Sequence, residues 1–156
     1  MTEHMPPVPA PAARRPLGLP FLVLVGLAAL GVPRAILHDL HLIDPSGPLT
    51  WLLALGPVAV WVWVTVVKRV PHPFLTVLVI GALLGAMLVV THQLLWEQAY
   101  TGDLPALGRG PLATTIPRIA AVFSGLFTGA LIGSVGGLIA WGIQSATRSR
   151  APRTSR

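Results

Sequence analysis

The chain has 156 residues, a formal net charge of +6 and no cysteine; 53% of its residues are hydrophobic and 10% are charged. Soluble domains carry about a quarter charged residues, so an ordinary soluble domain is excluded, and the lack of thiols excludes disulfides, thiolate metal ligands and cysteine nucleophiles. The basic excess fits membrane topology and contact with anionic lipid; nucleic-acid binding is not expected, because no folded basic surface is there to carry it.

The few charges fall in short segments separated by long charge-free runs. A membrane-spanning helix needs roughly 20 apolar residues, and residues 17–37, 49–67, 74–96 and 116–143 meet that requirement. The expected fold is an all-α integral membrane protein: a four-transmembrane-helix bundle over 17–143, between a disordered Pro/Ala-rich N-tail over 1–16 and an Arg-rich C-tail over 144–156. The longest piece outside the spans is about twenty residues, too short for a soluble core of its own.

In chain order, prolines at 6, 7, 9, 11 and 16 forbid a helix in the N-tail and favour an extended chain. Arg14-Arg15 ahead of the first span resembles the basic start of a signal peptide. No small-x-small cleavage site follows, and Pro33-Arg34 stands where one is wanted, so a retained helix is expected. That span ends in Arg34, His38, Asp39 and His41, and Asp44-Pro45-Ser46-Gly47-Pro48 then breaks the chain. The second span carries Pro57 at its centre, where a kink is expected, and Trp51 and Trp63 at interfacial positions. The short connection over 70–73 makes the second and third spans an antiparallel hairpin. The third span carries Gly81 and Gly85 four apart, then His92, with Glu97 at its far end. The loop over 98–115 is long enough to fold over the mouth of the bundle, and Thr114-Thr115 before Pro117 reads as a helix start.

In the fourth span no charge occurs between Arg118 and Arg148, and Gly125, Gly129, Gly133 and Gly137 recur every fourth residue. Helices in lipid have no hydrophobic drive to associate, so side-chain-free stripes that admit close backbone approach replace it. These four glycines, with Gly81 and Gly85, are the expected helix-packing positions. The stripe packs the first or third span of the same chain, or a second copy of it.

The basic residues also predict orientation. Arg14, Arg15, Lys68, Arg69, Arg148, Arg150, Arg153 and Arg156 share one side of the alternating topology; Arg34, Arg109 and Arg118 hold the other. The positive-inside bias places both termini in the cytoplasm.

The outer end gathers the ionisable residues Arg34, His38, Asp39, His41, His92 and Glu97, the candidate polar cluster. Ionisable groups at membrane depth turn inward and pair with one another. Three readings apply: a metal site on imidazole and carboxylate, a protonatable site, or a structural ion pair of Arg34 with Glu97 or Asp39. Glu97 is the expected partner of Arg34, and His38 and His41 are expected on one helix face. A third metal ligand is not fixed by the spacing, so metal binding stays open.

Ser124 and His92 lie at comparable depth, but Ser124 lacks the preceding glycine of the Gly-x-Ser-Gly pattern of rhomboid-type proteases. No paired glutamates, phosphate loop or dinucleotide fingerprint occurs, so no enzyme and no cofactor is expected. In type, though not in motifs, the chain resembles small four-helix proteins of bacterial inner membranes. The expected function is a non-enzymatic component serving assembly, regulation or scaffolding, in contact with the bilayer and with a second copy or another membrane protein. The alternative is a transporter or channel subunit with an outer His/Arg/Glu site. The polar lining for a path is thin, consisting of Thr65, Thr76, Thr128 and Ser134.

Overall fold

A computed structural model describes residues 16–100, 105–107, 110 and 112–149. The N-tail before Pro16, the basic tail after Ser149, and loop positions 101–104, 108, 109 and 111 lie outside the described residues. Within them the chain is helical, with no strand. The helices are α1 (Phe21–Ala29), α2 (Val32–Asp39), α3 (Pro48–Val67), α4 (Pro73–Leu94), α5 (Trp96–Ala99) and α6 (Thr115–Ser149). Four stretches are long and apolar enough to cross a membrane: Phe21–Asp39, Pro48–Val67, Pro73–Leu94 and Thr115–Ser149. Their outward sides expose Phe21, Leu22, Leu52, Leu55, Phe123 and Phe127, a surface suited to acyl chains.

The first span is two helices. Pro33 has no N–H to give to the carbonyl four residues back, and its ring crowds that position. The chain tightens just before it, where Leu30 N–H bonds to Leu27 O and Gly31 N–H to Ala28 O, each three residues back. Leu27 O, bonded at 3.3 Å to Leu30 N–H, also takes a second donor from a neighbouring span. Trp61 of α3, fully buried, donates its indole N–H to Leu27 O at 2.7 Å and stitches the break to the next span. In contrast, α3 runs through Pro57 without a break.

The α3–α4 turn closes with paired C-terminal bonds: Val70 N–H to Thr65 O and Arg69 N–H to Val66 O. Arg69 takes the left-handed conformation this motif requires, at φ 47°. Gly18, also left-handed at φ 71°, lets the chain ahead of α1 pass over this turn. A Cβ there would lie 2.7 Å from Pro71 Cδ. The Thr76 hydroxyl reaches both Leu17 O (3.0 Å) and His72 O (2.9 Å), anchoring that segment to α4.

α4 is the central helix: α1, α2, α3 and α6 all pack on it, whereas neither α1 nor α2 reaches α6. The α4–α6 contact is the most extensive and is made by glycine. A Cβ on Gly129 would sit 2.5 Å from both Cα and N of Gly85 and would strike the Gly81 carbonyl; one on Gly81 would sit 2.5 Å from Gly133 Cα. Gly125 faces Val89 and the Gly85 carbonyl, and a Cβ on Gly137 would lie 2.8 Å from the Phe74 carbonyl oxygen. Gly136, outside the four-residue spacing, fits between Val77 and Val58. The stripe is thus filled by α4 of the same chain.

α6 continues past residue 143 to Ser149. Its 35 residues amount to roughly 50 Å of helix, well beyond a ~30 Å hydrocarbon core. A side-chain bond supports the extension: buried Gln144 donates to Thr65 O at 3.0 Å and accepts from Arg148 Nη2 at 2.7 Å.

Candidate functional site

The ionisable residues meet at the end of the bundle opposite the Lys68–Arg69 turn. Their centre is Asp39, the last residue of α2, whose side chain is 4% exposed. His92, in the last turn of α4, bonds through Nδ1 to Asp39 Oδ2 at 2.5 Å. His38 approaches Asp39 Oδ1 through its own Nδ1 at 3.3 Å. With the carboxylate as acceptor, each Nδ1 would carry the proton of its contact and each neutral ring would keep Nε2 as a lone-pair acceptor. Both carboxylate oxygens are occupied in this way.

Arg34 lines the same space from the first turn of α2, yet it is not paired with Glu97 or Asp39; the ion pairs among the described residues are the two histidine contacts of Asp39. Its Nε is buried without a hydrogen-bond partner. The expected Arg34–Glu97 pair does not form among the described residues. α4 stops at Leu94, Leu95 turns the chain (φ −96°, ψ 14°), and Glu97 belongs to the short α5, where it is exposed. His41 departs from expectation for a similar reason. α2 ends at Asp39 and closes with Leu42 N–H bonded to Leu37 O and His41 N–H to His38 O. His41 is the left-handed residue of that closure, at φ 55°, so it and His38 do not share a helix face.

These groups border a cleft of about 930 Å³ whose walls include Arg34, His38, Asp39 and His41, then Leu88, His92 and Trp96, and Ala121, Ser124 and Thr128 from α6. Trp96, buried, meets Tyr100 in a tilted pair with ring centroids 4.9 Å apart and carries the Arg118 guanidinium 5.2 Å above its ring. Gln93 donates to Arg118 O at 3.1 Å and joins α4 to the start of α6. The roles of Trp96 and Arg118 were not visible in periodicity; an aromatic beside a helix end was their only signal.

No group of three or more His, Cys, Asp or Glu with metal-holding geometry occurs among the described residues. The nearest loop, over 40–47, is held by Asp44, which accepts from the Ser46 backbone N–H and hydroxyl, both at 2.8 Å. Those two bonds, the backbone one first, hold the Asp44 carboxyl below the usual aspartate range. No family model, curated protein or solved structure matches this chain. The class that fold and site define is that of a small multi-pass helical membrane protein with a polar cleft at one end.

Proposed function

We propose that the chain is a non-catalytic component of a bacterial inner membrane that serves assembly, regulation or scaffolding, with both termini and the 68–72 turn in the cytoplasm. The carrying observation is the distribution of polar groups. One set, Asp39, His38, His92 and Arg34, lies at one end, and another, Thr65, Gln144 and Arg148, lies at the other. Between them stand buried Leu24, Ala28, Trp61, Val77, Ile80 and Leu84, with α4 and α6 in backbone contact. A conducting path needs polar groups or water along its length; these buried residues are apolar, and the cavity of about 500 Å³ beside them is lined by Leu55, Val58, Val62, Val66, Ile139 and Ile143. The Lys68–Arg69 turn and Arg148 sit at the end given to the cytoplasm, which supports the orientation.

A transporter or channel subunit is the second reading, favoured by the buried carboxylate with two histidines. Liposomes carrying the purified chain and an internal pH dye separate the two. Under an imposed pH gradient the proposal expects the leak rate of empty liposomes; a faster, Asp39-dependent leak refutes it. Labelling of Ser46→Cys but not Ser149→Cys by an impermeant thiol reagent on intact cells is expected, and the converse reverses the orientation.

A further inference from the structure

We propose that the cleft between α2 and α6 binds one anionic phospholipid, with Arg34 holding the phosphate and the floor of Leu88 and Ala121 holding the start of an acyl chain. The shape argues for a lipid. α2 and α6 each lie on α4 without reaching one another, so the cleft is a gap between two spans over a third. Ile43 and Pro45 from the loop after α2, and Pro105, Ala106 and Leu107 from the loop before α6, complete its lining. Its volume, about 930 Å³, lies in the range of ligand sites of roughly 300–1,000 Å³.

The charge argues for a phosphate. Arg34 is the one arginine among the lining residues, its Nε is buried without a partner, and no carboxylate among the described residues neutralises it. Guanidinium presents a fork of donors matched to phosphate oxygens, and a buried N–H without a partner, here Nε, is well satisfied by a charged acceptor. The nearby carboxylate does not compete, since each Asp39 oxygen faces a histidine Nδ1. A headgroup with net negative charge complements the unpaired Arg34 guanidinium better than a zwitterionic one, whose own cation offsets its phosphate. The Ser124 and Thr128 hydroxyls line the α6 wall.

This proposal deepens the reading of a non-conducting component, and the two fail separately: a proton leak refutes that reading and leaves lipid binding untouched. The test is native mass spectrometry of the full chain in neutral detergent, titrated with dioleoylphosphatidylglycerol or dioleoylphosphatidylcholine. One retained phosphatidylglycerol per chain is expected, with a preference of about tenfold or more, equivalent to ~1.4 kcal/mol. Arg34→Gln should abolish the preference, and Lys68→Gln, exposed at the opposite end, should keep it. Ala121→Trp fills the floor and leaves the charge, so it should also release the lipid. If Arg34→Gln does not fold, Ala121→Trp decides. Equal retention of both lipids, or an unchanged preference in folded Arg34→Gln or Ala121→Trp, overturns the proposal. Displacement by millimolar glycerol 3-phosphate also overturns it, because the site would then read phosphate without its lipid.

Discussion

Replacing Gly129 with alanine adds one methyl group where α6 meets α4, and the structure sets the consequence. The new Cβ would lie 2.5 Å from both Cα and N of Gly85, whereas carbon–carbon contacts prefer ~3.5–4.0 Å. Relief therefore takes about 1 Å of movement. The atoms in the way are helix backbone, and α4 is held on its other sides by α1, α2 and α3. Overpacking costs ~1–3 kcal/mol, and with no flexible side chain to yield, Gly129→Ala should fall at about 2–3 kcal/mol. Gly125→Ala meets Val89 Cγ2 first, at 3.0 Å, and backbone only at 3.4 Å, so about 1 kcal/mol or less is expected. Gly142→Ala meets nothing within 4 Å and gains helix propensity of up to ~1 kcal/mol. At roughly 2–4 °C per kcal/mol, thermal unfolding in one detergent, followed by tryptophan fluorescence, should resolve all three. The order of melting temperatures should be Gly142→Ala, Gly125→Ala, Gly129→Ala, from high to low. Gly129→Ala melting with the unsubstituted chain would refute the close approach and with it the account of why α4 and α6 associate.

Three further outcomes are expected. Trp61→Phe keeps most of the ring but strips Leu27 O of its indole donor, and should cost about 1–2 kcal/mol in thermal unfolding; an unchanged melting temperature would mean that the break before Pro33 needs no stitch. Asp39→Ala leaves the Nδ1 groups of His38 and His92 without their acceptor and should cost about 1–3 kcal/mol, while a cycle with His92→Ala should show the double variant costing less than the sum. Additive losses would show that Asp39 and His92 do not interact. Asp44 has its folded-state pKa lowered by Ser46, so its contribution is full above the ordinary aspartate range and is lost as pH falls through the folded value. The deficit of Asp44→Ala in melting temperature should thus shrink between about pH 5 and pH 2, and a constant deficit would discount the Ser46 bonds.

The spans were legible because a charge-free apolar run of sufficient length has one stable form in lipid, and the first three spans begin and end within four residues of those read from composition. What composition could not show was the interruption of the first span. Pro33 ends one helix and opens the next, whereas Pro57, with the same missing N–H, leaves α3 continuous, and composition does not distinguish the two. Nor could it show the extension of α6 to Ser149, since Gln144 and Arg148 read as polar tail until Thr65 O is seen across from them. Gly81, Gly85, Gly125, Gly129, Gly133 and Gly137 were visible as stripes, but the partner of the second stripe was undecided between this chain and a copy. The choice depends on the hairpin that sets α4 beside α6, which spacing along one helix does not report.

The site departs from expectation twice, and both departures have one cause. Helical spacing puts His38 and His41 on one face, while His92 and Glu97, five residues apart and so split across a helix, share only the depth of one mouth. Each pair straddles a helix end. Between His38 and His41 the chain passes through the end of α2 into a left-handed residue. Between His92 and Glu97 it leaves α4, turns at Leu95 and restarts as α5. Past a helix end the rotation per residue no longer holds, so a side chain one or two positions beyond it points where the closing turn sends it. Asp39 and His92, by contrast, lie on the last turns of their helices and face inward as the periodicity of each helix requires. The carboxylate that was buried therefore found the imidazole of another span. Arg34, for which the pairing had been drawn, was left with an unpartnered Nε in a cleft. A bundle that buries one arginine donor at a gap between spans has left room for an anion, and in a membrane the anion at hand is a lipid phosphate.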